Sequence, residues 1–267
     1  MPSISELQTA SFLERVKKKL QRGWKKIAWK NLGVNIELHP ELTVKIESEA
    51  EFYLYNDLFC RGEYDLPIQQ SLASVSPNRL LEFLDLGANV GYFPLRIADL
   101  ILQSKNPQQP FQVTMVEGSP VIFEIMKSRL NQQELLKNKV KIFNGLVGER
   151  QGSADLYQID YHVSNSIFLS PEGKKKDTVS YIDLTSIYGG EIPEIDLLKV
   201  DIEGCEQRLL ENYPELLAKV KSVVIELHKD LCDVGRCSTI LNEAGFTNHK
   251  QLKEEKIGTV DFFWKNN

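Results

Sequence analysis

The stretch Phe83-Leu84-Asp85-Leu86-Gly87-Ala88-Asn89-Val90-Gly91-Tyr92-Phe93 decides the fold of this 267-residue chain. A short apolar run stops at an acid, passes through Gly-x-x-x-Gly and enters a segment of helical periodicity reaching Leu102. An apolar run this short, bounded by turn residues, reads as a strand buried on both faces. Glycines let the backbone turn sharply and approach a ligand closely. The following helix then offers free N–H groups to an anion.

The same grammar continues downstream. Residues 110–118 (PFQVTMVEG) read as a second strand, Pro120–Leu130 as a helix and residues 140–145 (VKIFNG) as a third strand. Ile195–Gly204 (IDLLKVDIEG) and Val220–His228 (VKSVVIELH) are further buried strands, each leading to a helix, at Glu206–Asn212 and Arg236–Ala244. The tail 245–264 reads as two strands joined by the charged turn Glu254–Gly258. Alternating strands and helices predict an α/β, Rossmann-like, mostly parallel sheet covered on both faces and closed by an antiparallel hairpin. Residues 152–157 (GSADLY) and 178–184 (TVSYIDL), around a Gly/Lys-rich loop, read as an inserted hairpin or cover. Upstream, Thr43–Ile46 and Glu51–Tyr55 have strand-like composition and Pro67–Ser74 a helical one. The spacing divides the chain into a cap at 1–78 and a ligand-binding domain at 79–267.

Charge is unevenly spread. Residues 1–30 hold eight Lys/Arg and two acids, so a chain of net charge −5 carries −11 on its other 237 residues. Phe12, Val16, Leu20, Trp24 and Ile27 recur at helical spacing between the lysines, giving an amphipathic helix. Its plainest reading packs the apolar face on the domain; a lid or homodimer element, or weak membrane association through residues 12–30, are the others. An acidic body without a basic–aromatic platform argues against nucleic-acid binding. No window approaches ~18 uninterrupted apolar residues, so a transmembrane span is not expected. The N-terminus lacks the pattern of a signal peptide, and the four cysteines lack zinc or disulfide spacing, so the reading is a cytoplasmic protein with reduced thiols.

The second strand ends in Val116-Glu117-Gly118. An acid at that tip is placed to accept hydrogen bonds from ribose hydroxyls, so glycine turn and acid together indicate an adenosine-containing ligand. Two cofactors compete. A dinucleotide prefers G-x-G-x-x-G, leaving bare backbone for its pyrophosphate; here Asn89 stands in the middle. S-adenosyl-L-methionine (SAM) has no pyrophosphate, tolerates Asn89 and suits the closing hairpin, so SAM is favoured over an NAD(P)-type oxidoreductase. Asp201 and Glu203, in Lys199-Val200-Asp201-Ile202-Glu203-Gly204, sit at another strand end. Asp201, ending the buried strand, reads as functional, and Glu206 as a favourable charge at a helix start.

LDLGANVGYF, VEGSP, LLKVDIEGCE and VVIELH, in that order, resemble the FkbM family of SAM-dependent methyltransferases over about Glu63–Phe246, preceded by the similar Arg61-Gly62-Glu63-Tyr64. The resemblance implies a class I methyltransferase fold with a seven-stranded sheet. It also implies O-methylation of a natural-product hydroxyl, a sugar or a peptide carboxyl, the acceptor being a small molecule or peptide. It assigns cofactor binding to Asp85, Gly87, Ala88, Asn89, Gly91, Tyr92 and Phe93 on the first turn. Glu117, Gly118 and Ser119 follow on the second, Asn144, Gly145 and Leu146 beside the adenine, and Asp201 in the third motif. Where the family has Pro directly after Glu, this chain has Gly118-Ser119-Pro120, and Ser119 is free to cap the next helix.

Methylating an alcohol requires removal of a proton. The candidates are His228 and Glu226 at the end of VVIELH, and His162 with Asp201. The chain lacks a decisive metal-ligand set, so transfer without a metal is expected. A catalytically silent nucleotide-binding scaffold is the non-enzyme alternative, against which the intact glycines, Glu117 and Asp201 speak.

Overall fold

A computed structural model of the chain describes residues 33–157 and 176–266. The basic head, His162 and most of the expected cover lie outside the described residues. Seven strands form one sheet, β3 (Leu81–Leu86), β4 (Phe111–Glu117), β5 (Val140–Asn144), β8 (Leu197–Val200), β9 (Ser222–His228), β10 (Asn248–Glu254) and β11 (Gly258–Trp264). Their order is β10-β11-β9-β8-β3-β4-β5, with only β11 running against the rest. This is the expected mostly parallel seven-stranded sheet with a closing antiparallel hairpin.

Helices α3 (Tyr92–Gln103) and α4 (Pro120–Leu130) carry the chain outward from β3 to β5. The chain then returns to β8 on the other side of β3, so the crevice opens at the carboxyl ends of β3 and β8, where open α/β sheets bind ligands. Leu86 is level with Val116 on one neighbour and Val200 on the other, which brings three strand tips together.

Alternation along each buried strand feeds two cores. Phe83, Val113, Met115 and Leu197 pack toward α3 and α4; Leu84, Leu86, Val116, Leu198 and Val200 pack toward α5 (Glu206–Asn212), α6 (Pro214–Lys219) and α7 (Val234–Glu243). The first core also takes Leu42, Val44 and Ile46 from the hairpin β1 (Val34–His39)–β2 (Leu42–Ile46) and Ile68 from α2 (Asp65–Ala73). Strands β6 (Ser153–Tyr157) and β7 (Lys176–Ser180) form a separate antiparallel pair, the expected inserted hairpin.

One expectation is overturned. Glu51–Tyr55 is not a strand but belongs to helix α1 (Glu49–Tyr55), because Ser48 caps it by accepting the Glu51 N–H and two acids occupy its first turn. The aromatic side chains suggested a strand, and the cap outweighs them. Helix α6 and strand β1 were not anticipated. Among the described residues no helix is long and apolar enough to cross a membrane.

Candidate active site

The turn after β3 is wired to both neighbouring strands. The Gly87 and Ala88 N–H groups both donate to the Val116 carbonyl at 3.0 Å, and the Asp201 N–H donates to the Leu86 carbonyl at 3.0 Å. Gly87 has φ +79°, and a Cβ there would lie 1.7 Å from the Asp201 carbonyl oxygen, so only glycine permits this contact between the β3 and β8 turns. Asn89 adopts φ +49°, which aims its N–H at Glu117 Oε2, 2.8 Å away.

Glu117, at the tip of β4, also accepts the Ser119 N–H at 2.7 Å through Oε1. Burial pushes its carboxyl up to about 7 despite those two backbone donors. Ser119 caps α4, its Oγ accepting the Ile122 N–H, so the departure at Gly118-Ser119-Pro120 retains a helix start.

These groups open on a cleft that encloses, with its mouth, about 660 Å³. The structure brings together Gly87, Asn89, Glu117, Gly118 and Ser119 on one wall and Gly145, Leu146 and Asp201 on others. Glu203, noted beside Asp201 at the strand end, also lines it, and sequence reasoning missed Val147, Leu156, Ile202 and Cys205, which line it too. Leu156 arrives on β6, where it packs with Leu146 and Val179, a placement no local pattern announces.

Other expected cofactor residues are placed behind the cleft. Asp85 is wholly buried, with Oδ1 3.0 Å from Lys199 Nζ and Oδ2 without a partner. Ala88 is buried within the turn, and Gly91 (φ +85°) is the left-handed residue that starts α3. The Tyr92 hydroxyl donates to the Lys45 carbonyl at 2.6 Å on the side of the β1–β2 hairpin. Phe93 packs edge-on against Tyr64. Asn144 is exposed, and its amide donates to the Glu117 and Gly118 carbonyls, steadying the β4 tip. These residues shape the turn and do not line the cleft.

The β8 and β9 ends hold a cluster of charge. Glu203, at φ +51°, lines the cleft with its Oε2 3.4 Å from His228 Nε2. Glu226 Oε1 is 3.9 Å from the same nitrogen. His228 Nδ1 is 2.9 Å from Oε1 of Glu206, which is fully buried and also accepts the Gly204 N–H. Glu206 does begin α5 as expected, and beyond that it anchors His228.

Burial, then the nearby Asp201 charge, raises both Glu203 and Glu226 to about 8. Burial would lower His228, but the Glu206 hydrogen bond and charge, with Asp201 and Glu203, raise it to about 10. A value raised this far favours the imidazolium at neutral pH, which speaks against His228 as the proton acceptor among the candidates. Ligand atoms of Asp201, Glu203 and His228 lie within 4.8 Å of one another, the group among the described residues able to hold a metal ion. The remaining two histidines are peripheral: His249 Nε2 bonds Asp261 at 2.7 Å, and His39 is on β1.

The leading segment joins this cluster to the closing hairpin. Glu63, raised by burial, pairs with Lys253 at 2.9 Å, and Lys253 also reaches Asp57 at 2.9 Å.

Comparison with known proteins agrees with this geometry. The family model "Methyltransferase FkbM domain" matches residues 85–247, from Asp85 through β10's approach, more than half of the chain. Among solved structures, a methyltransferase FkbM from Methylobacillus flagellatus KT superposes with a TM-score of 0.51 at 15% identity, over 81% of this chain and 50% of that one. This chain thus spans half the length of that protein. Magnesium protoporphyrin IX methyltransferase from Synechocystis PCC 6803, solved with SAM, gives 0.48 at 10% identity over 82% and 84% of the two chains. The N-terminal domain of EvdMO1, solved with S-adenosylhomocysteine, gives 0.49 at 11% identity over 92% and 97%. No curated protein matches the chain. At 15% identity the Methylobacillus superposition speaks for the fold alone, and the family model, running through every turn that builds the cleft, carries the assignment: the chain belongs to the FkbM family of methyltransferases.

Proposed function

We propose that this chain moves a methyl group from SAM to a hydroxyl oxygen of a natural product or sugar. The observation that carries the donor is the pair of acceptors at the cleft wall. Glu117 offers a carboxylate at the β4 tip, and Asn89 Oδ1 is buried without a partner. Two acceptors fit a ligand rich in donors, such as ribose hydroxyls and an α-ammonium, and disfavour a pyrophosphate, which only accepts. The residues present therefore fit SAM. When bound, SAM supplies an electrophilic methyl on a sulfonium.

The protein's own part is positioning and proton removal. Glu117 holds hydroxyl groups, the Gly87–Gly91 turn fixes the donor's depth, and Glu203, half-ionised near pH 8, takes the acceptor proton. The cationic His228 favours ionisation of that carboxylate, while Asp201 and Glu226 nearby raise its affinity for a proton; His162 stays a candidate from outside the described residues. Acids already crowded at the acceptor end disfavour one more carboxyl group there, which favours a hydroxyl over a peptide carboxyl. A cationic His228 among these acids favours a transfer without a metal. In this reading residues 79–267 carry the donor site and residues 1–78 help shape the acceptor side. The four free cysteines fit a cytoplasmic setting.

Incubation with methyl-labelled SAM and separate pools of polyketide alcohols, sugars and peptides tests the proposal. Label in an alkali-stable ether is expected. Alkali-labile label released as methanol would mark a carboxyl ester and overturn the hydroxyl assignment.

A further inference from the structure

A lysine in the middle of Leu197-Leu198-Lys199-Val200 is out of place on physical grounds. The strand is central and all four residues are buried, where an ammonium group is costly unless paired. Lys199 is only 6% exposed. Its Nζ donates to Asp85 Oδ1 at 3.0 Å and to the Gly87 carbonyl at 3.1 Å, and lies 6.0 Å from the centre of the Tyr64 ring. Burial opposes its charge, but Asp85 and Asp201 keep it protonated.

The location matters more than the pairing. The β3 turn is tied to β4 through the Gly87 and Ala88 N–H groups. Toward β8 its carbonyl is held by Lys199, at the point where Gly87 touches the Asp201 backbone. A peptide plane whose two ends are both fixed cannot rotate, so the direction of the following N–H groups is fixed as well. Asp85, with one oxygen on Lys199 and the other out of reach of solvent, has no open face toward the cleft.

We infer that Lys199 is a positioning residue of the donor site and that Asp85 acts on the donor only through Lys199. The inference rests on reading the cleft as the SAM site. It differs from the sequence expectation, in which Asp85 touches the cofactor itself.

Calorimetric titration of S-adenosylhomocysteine into wild type, Lys199→Met, Asp85→Asn and the double variant tests it. Each single substitution is expected to weaken binding about 10- to 100-fold, the size of a lost charge-assisted hydrogen bond, with stoichiometry still near one. The double variant should bind no more weakly than the weaker single one, because both changes break one link. Unchanged affinity in Lys199→Met overturns the inference, as does additive loss in the double variant, which would put Asp85 on the donor. Reduced stoichiometry at wild-type affinity would reveal mere loss of fold and also overturn it. Should Lys199→Met not fold, Lys199→Gln takes its place with a loss of the same sign. A wild type that does not bind at all would contradict the SAM reading, a separate failure.

Discussion

The two sides of the cleft are built on different physics. On the β3–β4 side, position comes from backbone: a glycine that only glycine can replace, N–H groups bound to the Val116 carbonyl, and one carboxylate held by two amides. On the β8–β9 side it comes from charge: Asp201, Glu203, Glu206 and Glu226 gathered around one imidazolium. The first arrangement holds a shape that pH barely alters except at Glu117. The second is poised to exchange protons near neutral pH. Under the proposed transfer to a hydroxyl, a fixed donor would meet an acceptor end able to take a proton at neighbouring strand tips.

The sharpest break in the backbone side is Gly87→Ala. With its Cβ inside the Asp201 carbonyl and a left-handed backbone costing about 1–3 kcal/mol on its own, the turn cannot close as it does now. Donor binding should fall beyond detection, with a lowered melting temperature; near-normal binding by calorimetry would mean that the close approach is dispensable.

Next in size is the response to pH. Glu117, Glu203 and Glu226 have folded values of about 7, 8 and 8 against an ordinary 4.5, and His228 about 10 against 6.5. All four values are raised, so in each case protonation favours the fold: the stabilisation is complete below the ordinary value and lost as pH climbs through the raised one. The ligand-free melting temperature should therefore decline from about pH 6 to pH 10. SAM affinity should move the other way at the acid end, weakening as pH drops through about 7 and Glu117 gains a proton. Parallel changes in stability and affinity would refute the separation.

His228→Asn probes the charged side with a smaller effect. Turnover should drop about 10-fold with the rising limb of the rate profile displaced to higher pH, since loss of a cation makes Glu203 and Glu226 harder to ionise. A limb that stays in place would remove His228 from the proton-handling network. The smallest expected effect is that of chelation: EDTA should leave turnover unchanged. Loss restored by Mg²⁺ would instead seat a cation on Asp201, Glu203 and His228.

How much of this was legible beforehand follows the same division. The backbone side could be read because its signals are contiguous: an apolar run, an acid, two glycines and a helix, then Glu117 after a second strand. The closing hairpin could likewise be anticipated from the turn at Glu254–Gly258. The charged side could not, because its links join residues far apart in sequence. His228 meets Glu206 across 22 positions and Lys199 meets Asp85 across 114, contacts fixed only when β8 and β9 pair with their neighbours. Sequence therefore named His228 among the candidate bases, since the imidazolium is a product of Glu206. Helix α1 escaped for a related reason: its start depends on the single Ser48 cap within an aromatic-rich segment.

The most direct test of the two-sided account is to titrate S-adenosylhomocysteine into Glu117→Ala and His228→Asn side by side. The account predicts about 10-fold or greater weakening in Glu117→Ala, from the loss of a charged acceptor, and wild-type affinity in His228→Asn. Equal loss in both variants would show that donor binding and proton handling are not divided between the two sides of the cleft.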